Sequence, residues 1–118
     1  MVTAQLFERI VHVAPEFAPL VAEHVRENDD LLPHLLMADL LRFVALLLER
    51  ADEPATRQLH GILDHLESEL ANNIEETRDL IAVSFLEHLE TEPFYLRLYA
   101  LLGPRTRAAH SRIQLGLP

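Results

Sequence analysis

Seven histidines and nineteen carboxylates in 118 residues raise the question of whether any are spaced to do chemistry. His60 with Asp64, and His65 with Glu69, stand four residues apart, a spacing that puts two metal ligands on one helix face. A metal site needs third and fourth ligands, and no pattern supplies them; the pairs read as solvated side chains on a wet face. His24, beside Phe17, Leu20 and Val21, reads as a partly buried histidine with one hydrogen bond. Ser84 and His88, next to Glu87, can be drawn as nucleophile and base. A catalytic serine needs a sharp turn and oxyanion donors, whereas Ser84 falls mid-helix, where a hydroxyl bonds the carbonyl four residues back. The chain has no HExxH, no glycine-rich phosphate loop and only three glycines. A protein that is not an enzyme, with no catalytic, metal or cofactor residues, is the expectation.

Charge is the stronger signal. Residues 1–92 carry 19 acids and six arginines, net −13, while residues 93–118 carry four arginines and no acid, net +4. A negative surface repels phosphate backbones, so the complement is a basic protein rather than nucleic acid. The absence of cysteine excludes disulfides, thiolate zinc sites and thiol nucleophiles. The amino end carries acids and no long apolar run, unlike a signal peptide. Leu35 to Leu48, the most apolar stretch, is interrupted by Asp39 and Arg42 and is shorter than the ~20 residues of a bilayer span. These features point to a soluble, cytoplasmic protein.

The elements that must position any site follow from periodicity. Thr3 to Val13 repeats apolar residues at helical spacing, with Thr3 available as a cap, and Ala14-Pro15 stops it. A second helix from about Pro15 or Pro19 to Asn28 buries Phe17, Leu20, Val21 and Val25. Asp29 or Asp30 can cap the next, Pro33 to Arg50, which is apolar over more than half its circumference and therefore belongs inside a bundle. Glu53-Pro54 opens a helix to about Leu70 with one stripe: Leu59, Ile62, Leu63, Leu66 and Leu70. Asn73 and Glu76 have capping-box spacing at the start of a helix running to Glu90. Its Ile74, Ile81, Phe85 and Leu89 face the core, and Val83 and Leu86 lie among the acids on the far side, either covered by a second helix such as Phe94 to Leu102 or exposed as the centre of a site. A short helix at Phe94 to Leu102 ends at Gly103, read as a left-handed cap. The basic helix from Pro104 to about Leu115 turns Ala108, Ala109 and Ile113 inward. The fold class is all-α: six or seven short antiparallel helices in a bundle or a small stack of helical hairpins, one domain over residues 1–118.

Three blocks, Leu31 to Phe43, Asp79 to Leu89 and Leu101 to Pro104, resemble a family of small acidic all-helical bacterial proteins of unknown function. That family is similar in turn to the immunity proteins of polymorphic-toxin systems. The resemblance covers about residues 1–104, and Ile81, Val83, Ser84 and Phe85 are its most specific part. It implies an all-helical fold and a toxin-neutralising role, with Ser84, Phe85 and Glu87 at the matching positions. Asp79 departs from it, standing where an asparagine-like residue opens the block.

The sequence thus predicts a binding protein of the immunity-inhibitor type, meeting a basic toxin domain through Asp64, Glu67, Glu76, Asp79, Val83, Leu86, Glu87 and Glu90. An apolar pair inside a ring of charge is the composition of an interface, the charge steering encounter and the centre holding the complex. The alternative is a structural or adaptor module, homodimeric through Val83 and Leu86. Nucleic acid and membrane are not expected partners.

Overall fold

The computed structural model describes residues 2–117 and is all-α. In chain order the α-helices are α1 (Val2–Val13), α2 (Ala18–Asn28), α3 (Pro33–Arg50), α4 (Glu53–Ala71), α5 (Glu75–Ile81), α6 (Tyr95–Tyr99) and α7 (Pro104–Gln114). Single 3-10 turns at Pro15–Phe17 and Leu89–Thr91 join some of them, and among the described residues there is no strand.

One hydrophobic cluster draws buried residues from α1, α3, α4, α5 and α6, while α2 and α7 lend only half-buried Val21, Ala109 and Ile113. Its centre is α3, whose Leu36, Met37, Leu40, Phe43, Val44 and Leu47 are buried. Around it pack α4, α5 and the turn that follows α5, with α2 more lightly applied. The periodicity of α3 and α4 predicted both spans to within a residue. In α4 the apolar stripe is buried as expected except for half-buried Leu70, and Gln58 and Glu69 are buried too. Gln58 donates to Glu16 Oε2 (2.6 Å) and accepts from the Glu16 backbone N–H (3.1 Å), and Arg50 reaches the same carboxylate. A buried amide is tolerated because its partners replace water. Glycine at 61 lets α1 approach α4, since a Cβ there would lie 3.0 Å from Val13 Cβ.

Several local expectations change. Thr3 is inside α1 and buried, so it does not cap it. In α2 the buried residue is His24, while Leu20 and Val25 are exposed and Val21 is half-buried. Neither Asp29 nor Asp30 caps α3; Leu32 holds the cap position and its N–H donates to His24 Nε2 at 2.9 Å. Burying His24 therefore satisfies a backbone group at the α2–α3 corner. Ile74, not Asn73, precedes α5 as its cap and is exposed, while Asn73 takes a left-handed φ of 54° and accepts from Arg78. On α7 the buried residues are Thr106 and His110; Ala109 and Ile113 are half-buried and Ala108 is exposed.

The largest difference lies after Ile81. The chain does not run on as an α-helix to Glu90 but passes through a π-helical turn, Ala82–Leu86, and then an irregular corner. In a π turn residue i bonds i+5 rather than i+4. Leu86 therefore comes round beneath Ile81, and both are fully buried. A regular helix would have carried Leu86 to the acidic side, as the sequence reading supposed.

Candidate functional site

The predicted acidic surface is divided by the carboxyl-terminal helix. Residues of α7 pack against α4 and the π turn, laying basic residues over the α4–α5 hairpin. Glu67 accepts from the backbone N–H groups of Arg105 (2.8 Å) and Thr106 (3.0 Å) and from the Thr106 hydroxyl (2.9 Å). It is the N-terminal cap of α7 delivered from another helix, and its carboxylate is spent there. Glu90 lies 3.3 Å from buried His110, whose ring packs against Tyr95 and Tyr99. Asp79 is exposed on α5 but borders a groove with Arg78, Arg105 and Arg112. Asp64 and Glu76 are exposed on α4 and α5. Leu86 is fully buried and cannot touch a partner, whereas Val83, 52% exposed, can.

Val83 and Glu87 belong to a groove of about 510 Å³ between α3 and the π turn. Leu41, Ala45 and Leu46 of α3 form one wall, and Val83, Phe85 and Phe94 the other. Leu46 is 58% exposed, an apolar side chain presented to solvent at the groove's edge. Around this floor stand Glu87, Glu92, His88 and Arg42, the last ion-paired to Asp39 within its own helix. The π turn shapes this face: it turns Phe85 and Leu86 inward while leaving Val83 out. Ser84 does not pair with His88. Its hydroxyl shares a 2.6 Å hydrogen bond with His34 Nδ1 at the start of α3, joining two of the sequence blocks singled out above.

Sequence reasoning missed Leu41, Ala45, Leu46, Glu92 and Phe94. A signal existed for three of them. A helix apolar over more than half its circumference has more apolar surface than a small bundle can cover, so part of α3 had to be left open. Glu92 and Phe94 reach the groove only because the chain turns sharply at His88, and no local pattern announces that turn.

Of the two histidine pairs, His65 with Glu69 forms as spaced but is largely buried, not solvated on a wet face. His65 is within 3.4 Å of buried Glu69, which also binds Arg9 at 3.0 Å, tying α4 to α1. His60 and Asp64 line a shallow surface depression. Among the described residues no three His, Asp or Glu side chains converge as metal ligands, and no helix is long and apolar enough to cross a membrane.

These environments predict a pH profile. Burial pulls His65 below the ordinary histidine value, ahead of the opposing pull of Glu69. Burial opposes the Glu67 charge most strongly, but the Arg105 and Thr106 donors together outweigh it and hold the carboxyl below the usual range. Arg50 and then Gln58 depress Glu16 in the same sense. Each group binds protons less readily folded than unfolded, so its contribution is complete above its unfolded value and lost as pH falls through the folded one. Urea unfolding should show constant stability above about pH 7, a first decline below about 6.5 and a steeper one below about 4.5. In His65→Gln the first decline should flatten.

Over residues 7–116 the chain matches the family described as a domain of unknown function (DUF7674). No curated protein and no solved structure matches it.

Proposed function

We propose a function for a chain that belongs to the DUF7674 family: it is a binding protein that takes a basic partner at the groove between α3 and the π turn. The observation that carries this reading is an open apolar floor, with Val83 and Leu46 more than half exposed, bordered by Glu87 and Glu92. Such a site accepts an apolar side chain while its carboxylates attract the cations beside it. The net charge of −9 adds long-range attraction for the same partner. In the finer form of this reading the partner is a basic toxin domain and the protein is its immunity-type inhibitor. That form is supported by the sequence resemblance, two of whose blocks meet at this groove.

Association with a basic toxin domain encoded by a neighbouring gene tests the reading, by growth rescue on co-expression and by pull-down. Glu87→Lys with Glu92→Lys should slow association at least about tenfold at low salt and flatten its dependence on ionic strength. Glu90 is unsuited to this test because it contacts His110. No rescue, no cationic partner and unchanged kinetics in the double variant would refute the proposal. The alternative, an adaptor module that dimerises through the same groove, draws on the exposed Val83 and Leu46. A two-fold contact sets each patch against its own copy, so Glu87 and Glu92 would face like charges. Light scattering at low salt is expected to give a monomer.

A further inference from the structure

A second groove, of about 420 Å³, opens on the other side of α3, between it and α2. It shares Ala38 and Arg42 with the first, so the two grooves flank a single ridge formed by α3. Leu35, Ala38, Arg42 and Leu46 fall at i, i+3, i+7 and i+11, one face of a helix. Leu35 (55%) and Leu46 (58%) are among the most exposed large apolar side chains of the protein, and they stand at opposite ends of this ridge. Eleven residues separate them, about 16 Å of helix. Both flanks are acidic. Glu23 and Glu27 on α2, one helical turn apart, line the second groove, and Glu87 and Glu92 line the first. The one arginine on the ridge, Arg42, is ion-paired to Asp39.

We infer that the ridge is the docking surface for a basic amphipathic helix of the partner, about three turns long, lying along α3 and engaging both grooves at once. This deepens the binding reading and rests on it. The earlier reading needs only one apolar side chain in one groove, whereas this one needs apolar contacts 16 Å apart and cations towards both flanks. A helix is the form that fits. The described residues contain no strand whose edge could pair with an extended peptide, and a helix satisfies its own backbone hydrogen bonds. A second copy of the chain is disfavoured because acids on both flanks would face their equals. A basic helix meets each flank with opposite charge.

Amide chemical shifts of the full 118-residue protein, titrated with three synthetic probes, test the inference. The first probe is a leucine–lysine peptide of about 14 residues with one apolar stripe, long enough for three to four turns. The second has the same composition with its leucines scattered, and the third is the tripeptide Arg-Leu-Arg. The first should perturb residues 20–27, 35–46 and 83–92 together, bind about tenfold more tightly than the second, and lose about tenfold with either Leu35→Glu or Leu46→Glu. Both replaced side chains point to solvent, and unchanged far-ultraviolet circular dichroism checks the fold. If the striped peptide perturbs only residues 83–92 and Leu35→Glu has no effect, the helix inference is overturned while the single-groove reading stands. Equal binding of the scattered peptide also overturns it, because charge alone would then suffice. If no probe perturbs residues 83–92, the binding reading itself falls.

Discussion

Replacing Leu86 with alanine is expected to cost about 2–5 kcal/mol of unfolding free energy, and Phe85→Ala about 3–5 kcal/mol. Val83→Ala, in the same turn, should cost less than about 0.5 kcal/mol. The contrast follows from burial: Leu86 and Phe85 are enclosed by the core, and Val83 is 52% exposed. Removing an enclosed side chain forfeits its transfer free energy and leaves a cavity that neighbours fill only partly. A valine with half its surface in water loses neither in full. Leu86 is the discriminating residue. In a regular α-helix from Glu75 to Glu90 it would share a face with Glu87 and Glu90, and its truncation would be as mild as that of Val83. In a π turn it lies under Ile81 and its truncation is severe. Urea denaturation of the three variants measures the difference, and similar small losses at Val83 and Leu86 would rule out the π turn. Val83→Ala should meanwhile weaken partner binding, so binding and stability separate within five residues.

Periodic apolar spacing over a long segment makes much of the fold legible. It gave α3 and α4 because 18 and 19 residues hold enough turns for the pattern to dominate. It failed where a structure departs from 3.6 residues per turn, as at Ala82–Leu86, where one extra residue in the turn reassigns every side chain after it. It also failed for buried polar groups. Gln58, Glu69, Thr106 and His110 fall inside the protein because partners from distant segments meet them, and His24 because it receives the Leu32 N–H from across a loop. Of the eight predicted contact residues, Val83 and Glu87 meet at the groove. Leu86 is removed by the π turn, and Glu67 and Glu90 are engaged with α7. Net charge revealed the sign of the attraction but not which acids are free to act on it, because the basic helix that consumes two of them lies late in the chain.

That helix is held by a contact that alanine at position 103 is expected to break. Gly103 precedes α7 with φ −75° and ψ 171°, extended backbone open to any residue, and so it is not the left-handed cap its sequence context suggested. On conformational grounds Gly103→Ala should stabilise the protein by about 0.4–1 kcal/mol, since it restricts the unfolded chain. The packing demands the opposite sign. A Cβ at 103 would lie within 2.9 Å of Glu67 Cγ and closer still to its carboxyl group, displacing the carboxylate from the Arg105 and Thr106 donors. Hydrogen bonds to a charged acceptor contribute about 1.5–3 kcal/mol, so after the conformational gain Gly103→Ala should destabilise by about 0.5–2.6 kcal/mol net. Glu67→Ala should cost a similar amount. The pair should not add: once the carboxylate is gone, the methyl group at 103 meets nothing it can displace, and the double variant should be no less stable than Glu67→Ala alone. Additive losses in urea unfolding would show that glycine at 103 serves some purpose other than room for Glu67. Non-additive losses identify Glu67 as a structural acid, held by α7 and withdrawn from any partner, whereas Glu87 and Glu92 border the groove beside the π turn without such a role.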